Sequence, residues 1–229
     1  MQDGMKQIPG GDWIAEEGKG ERARGRILAA ARKVFAQNPY RSASTRLIAE
    51  AAGIERPLIH YYFGSKEKLF EAVAKQMFEE FNQAHLSFLE GVERLPPREG
   101  LSLYLDRLLD YTLQHPEPMR VILVNMPQIG NLDEIPGYQY IPLHLEELRH
   151  LLEHKVSLRG PANEIQMFFL CFNNLVINFL GAKSCQAQVL GLDPESPEYR
   201  QWIKEALLTL FAPWLEKLIS PPTGRPLEA

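Results

Sequence analysis

Cysteine is scarce: Cys171 and Cys185 are the only two in 229 residues. Two thiols well apart exclude a disulfide framework, and without a signal peptide they predict a reduced, cytoplasmic chain. Cys171 lies inside an apolar helical run and reads as a small core residue, with a redox sensor as the lesser alternative. Metal-ligand spacing is missing as well, among the cysteines and the six histidines alike, so no metal and no cofactor is expected. His85, His144 and His154 are scattered, and no Ser/His/Asp set or carboxylate pair stands out, which argues against an enzyme. Runs of alternating strand residues are absent too. A membrane span is excluded: the most apolar stretch, Ile165 to Leu180 (IQMFFLCFNNLVINFL), is too short and carries Gln166, Asn173, Asn174 and Asn178.

What is present is helical periodicity. Ile27, Leu28, Ala31, Val34 and Phe35 recur at helical spacing between about Glu21 and Ala36, and Asn38-Pro39 ends that helix. A longer stripe from Leu69 through Phe70, Val73, Met77, Phe81 and Ala84 to Phe88 predicts a helix from Ser65 to about Leu89. At 1.5 Å per residue it spans roughly 35 Å, too long for a small head alone. Further helical patterns cover Arg98–Gln114, Pro116–Ile129, Pro142–His154, Ala162–Ala182 and Pro197–Leu218. The fold class is all-α. The domain reading is an arm over 1–20, disordered because it is Gly-rich and aperiodic, a three-helix head over 21–65, a helical body over 66–218 and a frayed tail over 219–229.

Net charge is −4, which taken whole argues against nucleic acid, but its distribution points the other way. Residues 1–70 hold 12 Lys/Arg against 8 Asp/Glu, whereas residues 71–229 hold 13 against 21. A basic head and an acidic body describe a molecule that meets DNA with one part only. Arg22, Arg24 and Arg26 open the head and either reach DNA or form a solvated helix start.

Inside the basic part, STRLIAEAAGIERPLIHYYFGSKEKL (Ser44 to Leu69) places Ala49, Gly53 and Ile59 at relative positions 0, +4 and +10. A small residue where two helices cross, a glycine at the turn and an apolar anchor in the second helix make a helix-turn-helix. The second helix, about Glu55 to Tyr62, is the one presented to the major groove. Arg56 stands at its N-terminal end as a reader of guanine, and Leu58 suits a thymine methyl or the head's own packing. Thr45 and Arg46, opening the first helix, suit phosphates.

With ILAAARKVF before it and YYFGSKEKLF after it, the stretch from Arg26 to Val73 resembles the DNA-binding domain of the TetR family of one-component transcriptional regulators. The resemblance implies phosphate contacts from His60, Tyr61 and Lys66, and places Pro57 in the same face. His60 departs from the commoner Tyr. Glu55 departs from Ser or Thr; it repels phosphate but can cap the helix. The resemblance further implies that the last two long helices pair with a second copy, through Leu175, Phe179, Leu207, Leu210, Phe211 and Trp214. The partners expected are an operator duplex, a second copy of the chain and a small, largely apolar effector, with no membrane. The chain is then cytoplasmic, and nucleoid-associated when bound to DNA.

The effector pocket is less visible. Its candidates are Phe81, His85, Asn125, Tyr138, His144, Phe168, Phe172, Asn174 and Asn178. Met167, Cys171, Asn174 and Asn178 share a helix face, so those amides bind either an effector or the partner copy. The function read from this is a ligand-responsive repressor. An activator, a non-inducible DNA binder and an all-α interaction protein with a non-functional head are the alternatives.

Overall fold

The computed structural model describes residues 12–128, 130–131, 134–156 and 158–219. The outer part of the arm (1–11) and the tail from 220 lie outside those residues. Among the described residues there is no strand. The helices are α1 (Asp12–Gln37), α2 (Thr45–Ala52), α3 (Arg56–Phe63), α4 (Lys66–Phe88), α5 (Pro97–Gln114), α6 (Glu117–Asn125), α7 (Tyr140–Val156), α8 (Ala162–Gly181), α9 (Lys183–Leu190) and α10 (Pro197–Ile219). The first helix begins at Asp12, inside the stretch read as a disordered arm: the glycines there lower helix propensity without breaking the hydrogen-bond ladder. Helix α9 follows α8 after a single residue, and its mixed composition carries no periodic signal.

The chain divides into two compact units after Val73. In the first, α1, α2 and α3 enclose Ile27, Ala31, Phe35, Ile48, Ala49 and Ile59, each 4% exposed or less. The start of α4 joins this core, since Phe70 packs edge-on to Phe35 (4.6 Å) and Tyr40 (4.9 Å). Those contacts set the division at 73 rather than at 65. Ser44 Oγ accepts from the Leu47 amide (3.2 Å) and starts α2. Gly53 ends it at φ 62°, which lets Ile54 N–H reach the Ala49 carbonyl (3.1 Å) and turns the chain into α3.

The second unit, from Ala74 onward, is a helical body in which α5 packs on α10 and α8 on both α6 and α10. Arg200 and Lys204 of α10 pair with Asp106 and Asp110 of α5. Arg107 Nη1 donates to the carbonyls of Ser87, Phe88 and Glu90, closing the C-terminus of α4. The backbones of α6 and α8 approach so closely at Gly181 that a Cβ there meets the Met119 carbonyl at 3.0 Å. By length and composition α8 can cross a membrane, its 20 residues exceeding the stretch read from sequence. One face of it is core all the same: Ile165, Phe168, Phe169, Phe172, Val176 and Leu180 are buried.

Candidate functional site

In the first unit the outward face of α3 carries Glu55, Arg56, Pro57, Leu58, His60 and Tyr61, all exposed, around the buried anchor Ile59. Tyr61 is 80% exposed, an unusual placement for a large aromatic without a partner surface. Arg56 is held from behind: its Nε donates to Thr45 Oγ1 (3.0 Å). Thr45 is itself buried, at 7% exposure, so its hydroxyl orients Arg56 and is not offered to a phosphate. That bond uses the inner nitrogen of the guanidinium, and the forked outer nitrogens are the ones a guanine edge takes. Arg46 pairs with Glu50 across 3.6 Å, an exposed contact that competes little with a phosphate.

Three other residues of this face are arranged differently from expectation. Glu55 stands at the N-cap of α3 with the extended backbone usual there (φ −72°, ψ 134°) but makes no side-chain capping bond. His60 Nδ1 lies 2.9 Å from the Gly64 carbonyl oxygen, so that nitrogen carries the hydrogen and the ring closes the end of its own helix. Lys66 Nζ donates to the carbonyls of Tyr40 (2.8 Å) and Ala43 (3.0 Å) and sits 4.4 Å over the Tyr40 ring. Desolvation in that position lowers its pKa from the ordinary lysine value. Its ammonium ties α4 to the 40–43 turn instead of extending to a backbone phosphate. Arg24 likewise lies over the Phe63 ring, 5.2 Å from its centroid, on α1.

Two cavities among the described residues lie in the second unit. One, of about 290 Å³, is apolar and includes Leu101, Tyr104, Leu148, Leu152, Phe168 and Phe172 in its walls. The other, of about 490 Å³, lies between α4 and α7 and includes Phe78, Asn82, His85, His144 and Glu147. They share Leu148, and the Tyr104 hydroxyl of the first reaches His85 Nε2 of the second across 2.7 Å. Phe81 packs edge-on to both His85 (5.3 Å) and His144 (5.1 Å). Burial depresses both imidazoles, His85 to about 3, with the neighbouring His144 adding to the effect, and His144 to about 4. Both are therefore neutral near pH 7.

Residues 27–73, the helix-turn-helix with the end of α1 before it and the start of α4 after it, match the tetR family of bacterial regulatory proteins. That stretch is a DNA-binding domain of the family's type. It is 33% identical over 102 residues to the HTH-type transcriptional repressor NicS of Pseudomonas putida, covering 44% of this chain and 47% of NicS. It is 28% identical over 134 residues to the HTH-type transcriptional regulator RutR of Escherichia coli K12, covering 58% of each. The chain thus spans about half the length of these curated relatives. A TetR-family regulator from Agrobacterium tumefaciens superposes with TM-score 0.62 at 20% identity, over 88% of this chain and 100% of that one. That likeness extends the shared fold through the body.

Within the body the residues read as pocket candidates separate into four places. Phe81, His85 and His144 come together, as do Phe168 and Phe172. Asn125 and Tyr138 line neither cavity: Asn125 is fully buried with its amide on the Val121 carbonyl (2.9 Å), and Tyr138 donates to the Val121 (2.8 Å) and Ile122 carbonyls. They brace the end of α6. Asn174 and Asn178 lie on the exposed face of α8 with Met167, Leu170 and Cys171, so in a single chain they face away from both cavities. Helix α8 is thus not buried all round, and Cys171 is not a core residue.

The interface candidates divide as well. Leu207 and Phe211 are core, at 0% and 2% exposure, with Phe211 packed edge-on to Phe168 and Phe172. Leu210 is 55% exposed, and Leu175, Phe179 and Trp214 are half-buried. Two polar residues beside the histidines are not evident from sequence: Asn82, which bonds His144, and Glu147, which accepts from Asn82. Each sits three residues from a histidine on the same helix, and that pairing is the available signal.

Proposed function

We propose that this chain is a ligand-responsive transcription regulator that binds a palindromic operator as a homodimer and acts as a repressor released by a small molecule. The observation that carries it is Arg56, exposed at the start of α3 and braced by Thr45 in a helix-turn-helix of the tetR family. NicS, 33% identical to this chain over 102 residues, is a transcriptional repressor. The surface formed by the exposed residues of α8 and by Leu210 of α10 is the dimerisation face in this reading. Asn174 and Asn178 then set the register between copies and do not contact the effector.

The effector occupies the second unit, where the two cavities and the paired histidines lie. Helix α4 starts in the DNA-binding unit and carries His85 in its last turn, so displacement of its C-terminal half is the route by which ligand acts on Lys66 and the turn it holds. Such regulation is reciprocal, and operator then weakens effector binding by the factor by which effector weakens operator binding, typically 5–150-fold. The reading places the protein in the cytoplasm, associated with the nucleoid when bound to DNA, and without enzymatic activity. Genome-wide mapping of bound DNA tests it. Discrete palindromic sites that vanish with Arg56→Ala are expected, and uniform occupancy unaffected by that substitution overturns it.

A further inference from the structure

The polar contacts around His85 and His144 fix the tautomer of each ring. Tyr104 is fully enclosed, and burial raises its pKa, so its hydroxyl keeps a hydrogen that needs an acceptor. The acceptor within reach is His85 Nε2, at 2.7 Å. His85 therefore carries its own hydrogen on Nδ1. On the other ring, Asn82 Nδ2 donates to a side-chain oxygen of the exposed Glu147 (2.5 Å). The Asn82 amide oxygen is thereby turned toward His144 Nδ1, which must donate to it. His144 Nε2 is left as a bare lone pair.

The two remaining nitrogens, His85 Nδ1 and His144 Nε2, are buried and have no protein partner. Their rings stand 5.5 Å apart, centroid to centroid, and both line the cavity between α4 and α7. One nitrogen offers a hydrogen and the other demands one. We infer that this pair is a subsite for a neutral group that accepts and donates at once, a hydroxyl or a carboxamide, borne on the effector. The inference rests on reading the second unit as the effector-binding unit.

Charged groups fit poorly. A carboxylate or phosphate accepts from His85 but faces the His144 lone pair, with Glu79 and Glu147 also lining the cavity. An ammonium donates to His144 but faces the His85 N–H. Most of the wall surface beyond the rings is apolar, from Phe78, Leu86, Leu148 and Leu151, with Glu79, Asn82, Gln83 and Glu147 beside them, and Phe78 stacks on Tyr140 at 5.2 Å. The ligand class is accordingly a mostly apolar molecule with one uncharged hydrogen-bonding head.

The test uses the full chain labelled with ¹⁵N-histidine and long-range ¹H–¹⁵N spectra, which read the tautomer directly. Near pH 7 both rings are expected as neutral Nδ1–H forms. Benzamide and benzyl alcohol are expected to shift His85 Nδ1 and His144 Nε2, while benzoate and benzylamine leave them in place. His144 observed as the Nε2–H form overturns the inference. So does a larger response to benzoate or benzylamine than to benzamide, or no response to any of the four at their solubility limits. Operator binding is scored separately by gel shift. A protein that selects an operator yet fails here keeps the regulator reading, whereas one that passes here yet selects no DNA keeps the subsite and loses the regulator.

Discussion

The two units use polar side chains in opposite ways. In the first, Ser44, Thr45, His60 and Lys66 satisfy nearby backbone or side-chain groups, and that local bonding holds Arg56 and Tyr61 outward. In the second, His85, Tyr104, Asn82 and His144 link helices distant in sequence and enclose their polar atoms. The head is thus a surface kept rigid from behind, and the body is an interior with hydrogen-bonding capacity left over. A DNA reader needs the first arrangement, because donors must be presented to a large ligand without rearrangement. A small-molecule receptor needs the second, because desolvated donors and acceptors discriminate most strongly.

The contrast breaks most visibly in the body's core. Phe211→Ala removes a side chain packed on Phe168 and Phe172 and is expected to cost about 3–5 kcal/mol, read as a lowered denaturation midpoint. Leu210→Glu, one residue away and 55% exposed, should change monomer stability by less than about 0.5 kcal/mol. It should nonetheless shift the light-scattering mass from two chains to one. Equal effects at 210 and 211 would erase the distinction between core and interface on α10.

The buried histidines make a pH prediction. Both have folded pKa values, about 3 and about 4, below the ordinary 6.5. Below pH 6.5 the unfolded chain takes up protons that the folded rings refuse. The body's stability is therefore level above about pH 6.5 and falls as pH drops from there toward 4. Urea midpoints at pH 7.5 and pH 5 measure it. In His85→Phe/His144→Phe protein the difference between those midpoints should shrink.

In the head, Arg56→Ala should weaken operator binding by about 1–3 kcal/mol and relax preference at one base pair. Lys66→Met should act differently, because its ammonium serves the Tyr40 and Ala43 carbonyls. We expect about 1–2 kcal/mol of lost head stability and an unchanged salt dependence of DNA binding. A flattened salt slope for Lys66→Met would return Lys66 to the phosphates. A milder change in the head is Gly53→Ala. Nothing lies within 4 Å of its added Cβ, so only the positive φ is felt, at about 1 kcal/mol.

How much of this the sequence discloses follows the same division. Ala49, Gly53 and Ile59 are legible because a tight turn and a close crossing impose residue types at fixed spacing. Helix periods locate most of the body, although α9 has no strong stripe and the first helix begins earlier than its apolar pattern. What periodicity cannot tell is which side of an apolar helix meets its own chain. Phe211 and Leu210 are adjacent and both hydrophobic, and only packing against Phe168 makes one core and the other surface. Cys171 is exposed against expectation for the same reason, since α8 is apolar on its outer face too. The His85–His144 pair is hidden by a separation of 59 positions, and Asn82, which bonds His144, and Glu147, which bonds Asn82, are ordinary surface types in a helix.

The most direct test of the central claim is in vitro binding-site selection with the purified full chain and random duplexes. The account predicts enrichment of a palindrome whose half-sites are about 34–36 Å apart or somewhat more, as suits paired recognition helices, and loss of that enrichment with Arg56→Ala. Recovery of no common sequence, or the same sequence from the Arg56→Ala protein, would contradict it.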